Sequence, residues 1–169
     1  MTVLETDRLV LRRLSAEDAE FILELLNQPS FLRYIGDKGV RTTEDAVNYI
    51  QTGPQASYEQ FGFGLYLVEL KGSGVSIGMC GLIKRDSLPD VDVGFAFLPD
   101  YWSQGYAFEA AAAVMNYGRE VFGLKRIVAI TSLDNAASIK LLEKVGLRFE
   151  RLIKLAEDQP EVRLFGSGV

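Results

Sequence analysis

The sequence predicts an α+β fold, in which a mixed, mostly antiparallel central sheet of about seven strands is flanked by helices. Extended segments joined by short loops between residues 63 and 98 indicate antiparallel hairpins. One strand–helix–strand unit, with its helix near 104–122, permits a parallel pair. Strands and helices do not alternate throughout, which argues against a doubly wound sheet. No repeat or linker interrupts the chain, so we expect a single domain over residues 1–169.

The first half of the chain has helix and turn signals at its predicted boundaries. Ser15 and a threonine at 42 or 43 can cap helix starts, and Gly53-Pro54 interrupts the second helical pattern. The turn over 71–74 joins two strands as a hairpin. The expected elements are a strand over 6–14, a helix from 15 that ends before Pro29, a helix from 42 or 43, and strands over 63–70 and 75–83.

The second half is organised around one long helix. Residues 91–98 are apolar, β-branched and aromatic, as in a central strand, and Pro99 ends the run because proline has no ladder donor. Gly123 is the expected C-terminal cap of the long helix, and Asn135 or Asp134 caps a short one. The expected elements are a strand over 91–98, a helix over 104–122, a strand over 126–131, a helix from 135 to 146, and strands over 147–156 and 161–165.

The composition excludes several kinds of chemistry. There is no histidine, which removes Ser-His and Cys-His nucleophile pairs and every His-ligated metal site. The one cysteine, Cys80, cannot form an intrachain disulfide or a Cys-rich zinc site, and its apolar surroundings predict a core thiol. We therefore expect no metal.

The charge and hydropathy of the chain bound its partners. A net charge of −5 disfavours nucleic acid, whose binding domains are usually basic. No apolar run approaches the ~18 residues of a membrane span. The first eight residues lack the basic start and apolar core of a signal peptide. We expect a cytoplasmic protein with neither a nucleic-acid nor a membrane partner.

The most informative segment joins the strand over 91–98 to the long helix, whose first turn contains Gly105, Tyr106 and Ala107. Backbone N–H groups at a helix start are unpaired, and the helix dipole there favours anions. Gly105 and Ala107 lack bulk, so a phosphate could approach the main chain. The segment is either a pyrophosphate cradle or a tight turn with small residues for packing.

Three segments resemble the GNAT superfamily of acetyl-CoA-dependent N-acetyltransferases, most closely its RimJ/RimL-type branch. Tyr101-Trp102-Ser103-Gln104-Gly105-Tyr106-Ala107-Phe108-Glu109-Ala110 resembles the branch's Tyr-Trp-Gly-Lys-Gly-Tyr-Ala-Thr-Glu-Ala. Asn135 to Leu147 resembles its Asn-x-x-Ser-x-(Arg/Lys) signature, and Glu5 to Arg12 resembles its opening, Glu-Thr-(Asp/Glu)-Arg-Leu-x-Leu-Arg. The resemblance spans almost the whole chain.

The resemblance implies acetyl-CoA as cosubstrate and a sheet that splays between its fourth and fifth strands. Unpaired main-chain groups near Phe97 and Leu98 would then hold the pantetheine arm like an added strand. Asn135 and Ser138 would face the arm and the thiol, and Lys140 could reach an outer phosphate. The pyrophosphate would lie on the N–H groups of Gln104, Gly105, Tyr106, Ala107 and Phe108.

Catalytic groups are less well specified. Leu142 stands where many members of the superfamily carry a tyrosine acid, so Ser138 or water must protonate the thiolate. Asp92 is the candidate base; its alternative is a solvent-facing or Arg/Lys-paired carboxylate. The predicted catalytic residues are therefore Asp92, Ser138 and Asn135. Gln104 leaves the phosphate loop without the fixed positive charge that Lys or Arg often supplies there.

The acceptor site is expected near the first two helices, at Phe31, Tyr34 and Tyr66. Acids in that region, including Asp37 and Asp45, either attract a cationic amine or form a solvated face. We expect direct acetyl transfer to a primary amine, of a protein N-terminus or a small molecule, in a ternary complex. The alternative is a non-catalytic acyl-CoA-binding regulatory module. The acceptor and a homodimer stay open.

Overall fold

One eight-stranded sheet runs through the computed structural model, which describes residues 2–167. Its strand order is β1-β2-β3-β4-β5-β6-β8-β7. The strands are β1 (Thr2–Glu5), β2 (Leu9–Arg13), β3 (Leu65–Leu70), β4 (Ser76–Ile83), β5 (Val91–Phe97), β6 (Ile127–Thr131), β7 (Arg148–Ile153) and β8 (Val162–Gly166). The α-helices are α1 (Ala19–Leu26), α2 (Pro29–Tyr34), α3 (Thr43–Ile50), α4 (Ala56–Phe61), α5 (Tyr106–Phe122) and α6 (Ala136–Lys144).

The single parallel pair in this sheet, β5 with β6, is also its weakest joint. The two strands pair only at Val91 with Ile127 and at Asp92 with Val128, although both continue beyond those positions. The strands therefore separate toward their carboxyl ends, as predicted. The short strand β1 was not predicted, so the predicted fourth and fifth strands are β5 and β6. β1 has four residues at the sheet edge, too few to show a period.

Each face of the sheet packs against its own set of helices. α5 covers one face, where Tyr66 and Val68 of β3 join Val114 and Met115 in the core. α1, α2 and α3 cover the other face, where Leu67 lies. Alternate residues of a strand point to opposite faces, so neighbouring residues of β3 serve different cores.

The helical region before β3 is longer than the sequence indicates. Pro29 begins α2, because the first position of a helix needs no N–H donor. Gly53-Pro54 does not end the helical path: a π-helical turn, Gln51–Gln55, takes in the proline and leads into α4. The wider turn relieves the clash that proline causes in an α-helix. Thr42 caps α3 as expected, by accepting the Asp45 N–H at 3.1 Å.

None of the helices between residues 2 and 167 is both long and apolar enough to cross a membrane.

Candidate active site

A cleft of about 1390 Å³ opens where β5 and β6 separate. It extends from the start of α5, past β5, to the region between α2 and α3. Side chains from both helical layers and from the separated strands meet in it, because the splay interrupts the sheet between the two layers. Among the predicted site residues, those that line it are Phe31, Tyr34, Asp92, Phe97, Ala107, Asn135 and Ser138.

The first turn of α5 forms one end of the cleft. Gly105 has φ +84° and Ser103 has φ +61°, so two left-handed residues bend the loop sharply into the helix. The first helical bond is donated by the Glu109 N–H to the Gly105 carbonyl, at 3.0 Å. The N–H groups of Tyr106, Ala107 and Phe108 are therefore without helical acceptors, at the positive end of a 17-residue helix.

Glu109 fastens this loop to the start of β2. Its carboxylate accepts from Arg8 Nε at 2.7 Å, from the Arg8 N–H at 2.9 Å and from the Thr6 hydroxyl. Burial would raise the pKa of Glu109, but these hydrogen bonds outweigh it and lower that pKa. Arg8 Nη1 also donates to the Gln104 carbonyl at 2.9 Å, and the guanidinium stacks 4.3 Å from the Tyr106 ring centre.

Arg8 thus places a guanidinium, paired with the Glu109 carboxylate, next to a loop that has no positively charged residue of its own. In the sequence, Arg8 is recognisable only as part of the opening motif, Glu5 to Arg12. Its partner Glu109 lies 101 positions away, and no local pattern reports such a pairing.

The edge of β5 differs from expectation at Leu98. The N–H of Leu98 donates to the Ile77 carbonyl at 2.9 Å, so it is paired with the strand next to it rather than free. The Phe97 carbonyl accepts the Trp102 indole N–H at 2.9 Å. Main-chain groups of alternate residues point to opposite sides of a strand, which leaves Phe95 and the Phe97 N–H on the cleft side. Phe95 and Phe97, rather than Leu98, line the cleft.

The β6 side of the cleft is rich in uncommitted polar groups. Asn135 caps α6 by accepting the Ser138 N–H at 3.3 Å through Oδ1, and its two amide N–H groups have no acceptor within residues 2–167. The side-chain oxygens of Thr131 and Ser132 are buried and have no hydrogen-bond partner within the described residues. Both residues line the cleft and were missed by the sequence analysis. A pair of hydroxyls at the end of a predicted strand was the available signal.

Asp92 lies where β5 and β6 begin to separate. It is 1% exposed and accepts from Arg85 Nε at 2.8 Å, which agrees with the Arg-paired alternative. Burial raises the pKa of Asp92, and the charge of Arg85 opposes that rise. A carboxylate with a raised pKa is a stronger base than an ordinary one, and Asp92 also lines the cleft.

Of the three residues predicted to hold the acceptor, Phe31 and Tyr34 line the cleft, at its end between α2 and α3, and Tyr66 does not. Tyr66 is 1% exposed and its ring stacks on Tyr58, under α5. Tyr66 points to the face of β3 that α5 covers, whereas Phe31 of α2 packs on the other face. Its predicted place in the acceptor site is therefore wrong, because alternate residues of a strand point to opposite faces.

The acids of this region are committed to local structure. Asp37 pairs with Arg41 at 2.5 Å, and Asp45 accepts from the Thr42 N–H at 3.2 Å as part of the helix cap. Neither lines the cleft.

The remaining predicted cofactor residues lie at the rim or outside it. Gln104, Gly105 and Tyr106 adjoin the cleft without lining it, although Ala107 and Trp102 do. The Phe108 ring packs under the Lys144 ammonium, 4.4 Å from the ring centre. Lys140 is exposed on α6. Over residues 2–167 no group of three His, Cys, Asp or Glu side chains could hold a metal ion.

Comparisons with known proteins agree on this architecture. The acetyltransferase (GNAT) domain family matches residues 8–148. A Bacillus subtilis protein described as the uncharacterized N-acetyltransferase YoaA is 32% identical over 154 residues, which cover 90% of this chain and 86% of the relative. An acetyltransferase of Agrobacterium tumefaciens superposes with a TM-score of 0.83 at 25% identity, over 98% of this chain and 93% of that one.

The fold is also that of RimL, a ribosomal L7/L12 alpha-N-protein acetyltransferase solved with coenzyme A. The two chains superpose with a TM-score of 0.83 over 98% of this chain and 97% of that one. Their sequences are 17% identical, so this likeness bears on the fold alone.

Proposed function

This chain belongs to the GNAT family of acetyltransferases, and on that premise we propose that it transfers the acetyl group of acetyl-CoA directly to a primary amine in a ternary complex. The observation that carries the proposal is the position of the unpaired N–H groups of α5. They stand at the mouth of the cleft between β5 and β6, where an anion and an amide-bearing arm could enter together.

The residues of the cleft fit the chemistry of acetyl-CoA. The turn at Gly105 offers N–H groups to a pyrophosphate, and a Cβ there would lie 3.1 Å from Arg8 Nη2. The buried hydroxyls of Thr131 and Ser132 lack partners that an amide group could supply. The main chain of Phe95 faces the opening and could pair with the arm as with a strand.

Acetyl-CoA supplies an acetyl group activated as a thioester, and residues of this chain would orient it and move the proton. Asp92 would take a proton from the acceptor amine, directly or through water, because burial strengthens it as a base. The Ser138 hydroxyl would donate a hydrogen bond to the departing sulfur, as no tyrosine stands at Leu142. The Asn135 amide N–H groups would hold the arm.

The proposal extends to the cell compartment. A cytoplasmic place of action is supported by the single free cysteine, Cys80, which is buried among apolar side chains.

The test separates binding from turnover. Acetyl-CoA should change the fluorescence of Trp102, the single tryptophan, and raise the unfolding temperature. Ligand at 100 times its dissociation constant stabilises by about 2.7 kcal/mol. An amine panel with continuous thiol detection then measures turnover. Asp92→Asn should lose turnover and keep acetyl-CoA binding; an unchanged rate removes Asp92 as the base.

Failure in the same assays is equally informative. Firm acetyl-CoA binding with no acetylated amine would favour the non-catalytic regulatory module. No binding at millimolar acetyl-CoA would mean that the first turn of α5 serves packing alone.

A further inference from the structure

Three hydrogen-bond donors from three different segments line the acceptor end of the cleft. Lys38 lies in the loop between α2 and α3, Tyr49 in the last turn of α3, and Arg85 in the loop between β4 and β5. The Lys38 ammonium and the Tyr49 hydroxyl have no hydrogen-bond partner among the residues that the structure describes.

Arg85 is only partly engaged. Its Nε donates to Asp92 at 2.8 Å, and its two terminal nitrogens have no acceptor within the described part of the chain. Its side chain is 31% exposed. Because the pairing with Asp92 holds the guanidinium in place, its free edge is a fixed pair of donors.

Arg85 is close enough to influence both of the other groups. The Lys38 residue as a whole is exposed, but partial burial of its ammonium lowers the pKa of Lys38, and the charge of Arg85 lowers it further. Burial raises the pKa of Tyr49, and Arg85 opposes that rise. Arg85 therefore lies within electrostatic reach of both other donors.

Among the carboxylates that line the cleft, only Asp92 neutralises part of this group, through its ion pair with Arg85, which leaves the charge of Lys38 uncompensated. Asp92 is paired with Arg85, and Asp134 with Arg33 at 3.3 Å. Asp86 and Glu161 are exposed, and neither forms an ion pair with Lys38. The net charge of Lys38, Arg85 and Asp92 together is therefore positive, which favours an anion at the free donors.

We propose that Lys38, Tyr49 and Arg85 form a carboxylate-binding subsite, so that the acceptor is an amine that also carries a carboxylate, in the manner of an amino acid. This inference rests on the proposed acetyl transfer, because only that reaction makes the bound amine an acceptor. The subsite itself is a property of the protein that can be measured without turnover.

Asp92 gives the arrangement a direction. It joins Arg85 to the point where β5 and β6 separate, so one bound molecule could place its carboxylate on the donors and its amine toward Asp92. A simple cationic amine could face Asp92 but would leave the free donors of Lys38, Tyr49 and Arg85 unpaired. Selectivity of this kind comes from groups that are left unpaired when the wrong ligand binds.

The experiment measures binding of the product class by calorimetry, in the presence of CoA. N-acetylated amino acids are compared with their carboxamides on the wild-type protein, on Lys38→Met and on Tyr49→Phe. Lys125→Met, at an exposed lysine outside the cleft, is the matched control. We expect the acids to bind at least ~10-fold more tightly than the amides, since a charge-assisted bond contributes about 1.5–3 kcal/mol.

Lys38→Met should remove most of that preference, Tyr49→Phe a smaller part, and Lys125→Met none. Equal binding of acid and amide, or an unchanged preference in Lys38→Met, would overturn the subsite, as would no binding of either at millimolar concentration. The amine panel reports on acetyl transfer separately. Preferential binding of the acids with no acetylation in the amine panel would contradict the proposed function and support the carboxylate-binding subsite.

Discussion

The two ends of the cleft use their side chains in opposite ways. At the α5 end, Thr6, Arg8 and Glu109 bond to one another and to the loop, which leaves backbone N–H groups for a ligand. At the proposed acceptor end, between α2 and α3, the side chains of Lys38 and Tyr49 line the cleft and have no partner in the described part of the chain.

This difference separates a general function from a specific one. Backbone N–H groups at a helix start donate to any suitably placed anion, and substitution of the surrounding side chains leaves these N–H groups in place. Uncommitted side chains select a ligand, and each can be changed by one substitution. We therefore expect variants at the α5 end to act through shape and support, and variants at the acceptor end to act through charge.

Gly105→Ala should have the largest effect on acetyl-CoA binding. The added Cβ meets Arg8 Nη2 at 3.1 Å at a residue with φ +84°. A left-handed L-residue costs about 1–2 kcal/mol, and the turn that presents the N–H groups must shift. We expect at least a ~10-fold loss of affinity by fluorescence titration.

Gly123→Ala is the matched control at the other end of α5. Gly123 has φ +65° and open space around its Cβ position. It should lose similar unfolding free energy and keep full acetyl-CoA affinity. Equal affinity losses in both variants would mean that helix stability, and not the shape of the turn, decides binding.

The sequence was sufficient for the parts of the molecule that local chemistry determines. Gly105, Asn135 and Thr42 were predicted at turns and caps where the structure has them, because a cap or a left-handed turn needs particular residue types. The strand–helix–strand unit near 104–122 permitted a parallel pair, the splay followed from the resemblance, and the short parallel pairing of β5 with β6 confirms both.

The missed features depend on distant pairings. Arg8 contacts Glu109 only after the sheet has formed. The Leu98 N–H is not free, because β4 includes Ile77, whose carbonyl accepts it. Tyr66 was predicted in the acceptor site but points to the other face of the sheet. The face that a strand residue takes depends on the pairing register, which residue type does not report.

Glu109→Gln should have an intermediate effect, through loss of the anchor. Glu109 holds Arg8 and Thr6, and hydrogen bonds to a charged group contribute roughly 2 kcal/mol net. Chemical denaturation should show a loss of that order, and acetyl-CoA affinity should fall severalfold because the loop loses its support. Glu150→Gln is the control: Glu150 pairs with Arg126 at 2.5 Å outside the cleft, so stability should fall with no change in affinity.

The pH dependence of Glu109→Gln gives a second readout. The folded-state pKa of Glu109 lies below its ordinary value of 4.5, so its ionised form stabilises the fold. That contribution is complete above pH 4.5 and is lost as the pH falls through the folded-state pKa. The stability gap between wild type and Glu109→Gln should therefore narrow in acid; a constant gap would contradict the assignment.

Thr131→Val should have the smallest effect on acetyl-CoA affinity, and its effect on the stability of the free protein should have an unusual sign. The Thr131 hydroxyl is buried without a partner, and an unsatisfied buried hydroxyl costs about 1–3 kcal/mol. Valine has the same shape without the polar group, so the unfolding temperature should rise by about 2–4 °C per kcal/mol gained. Acetyl-CoA affinity should fall, because the hydroxyl is held for a ligand.

Thr6→Val is the control. The Thr6 hydroxyl donates to Glu109, so this variant should lower the unfolding temperature instead. A destabilised Thr131→Val with unchanged affinity would show that the hydroxyl serves the fold, and the β6 side of the cleft would then lose its part in holding acetyl-CoA.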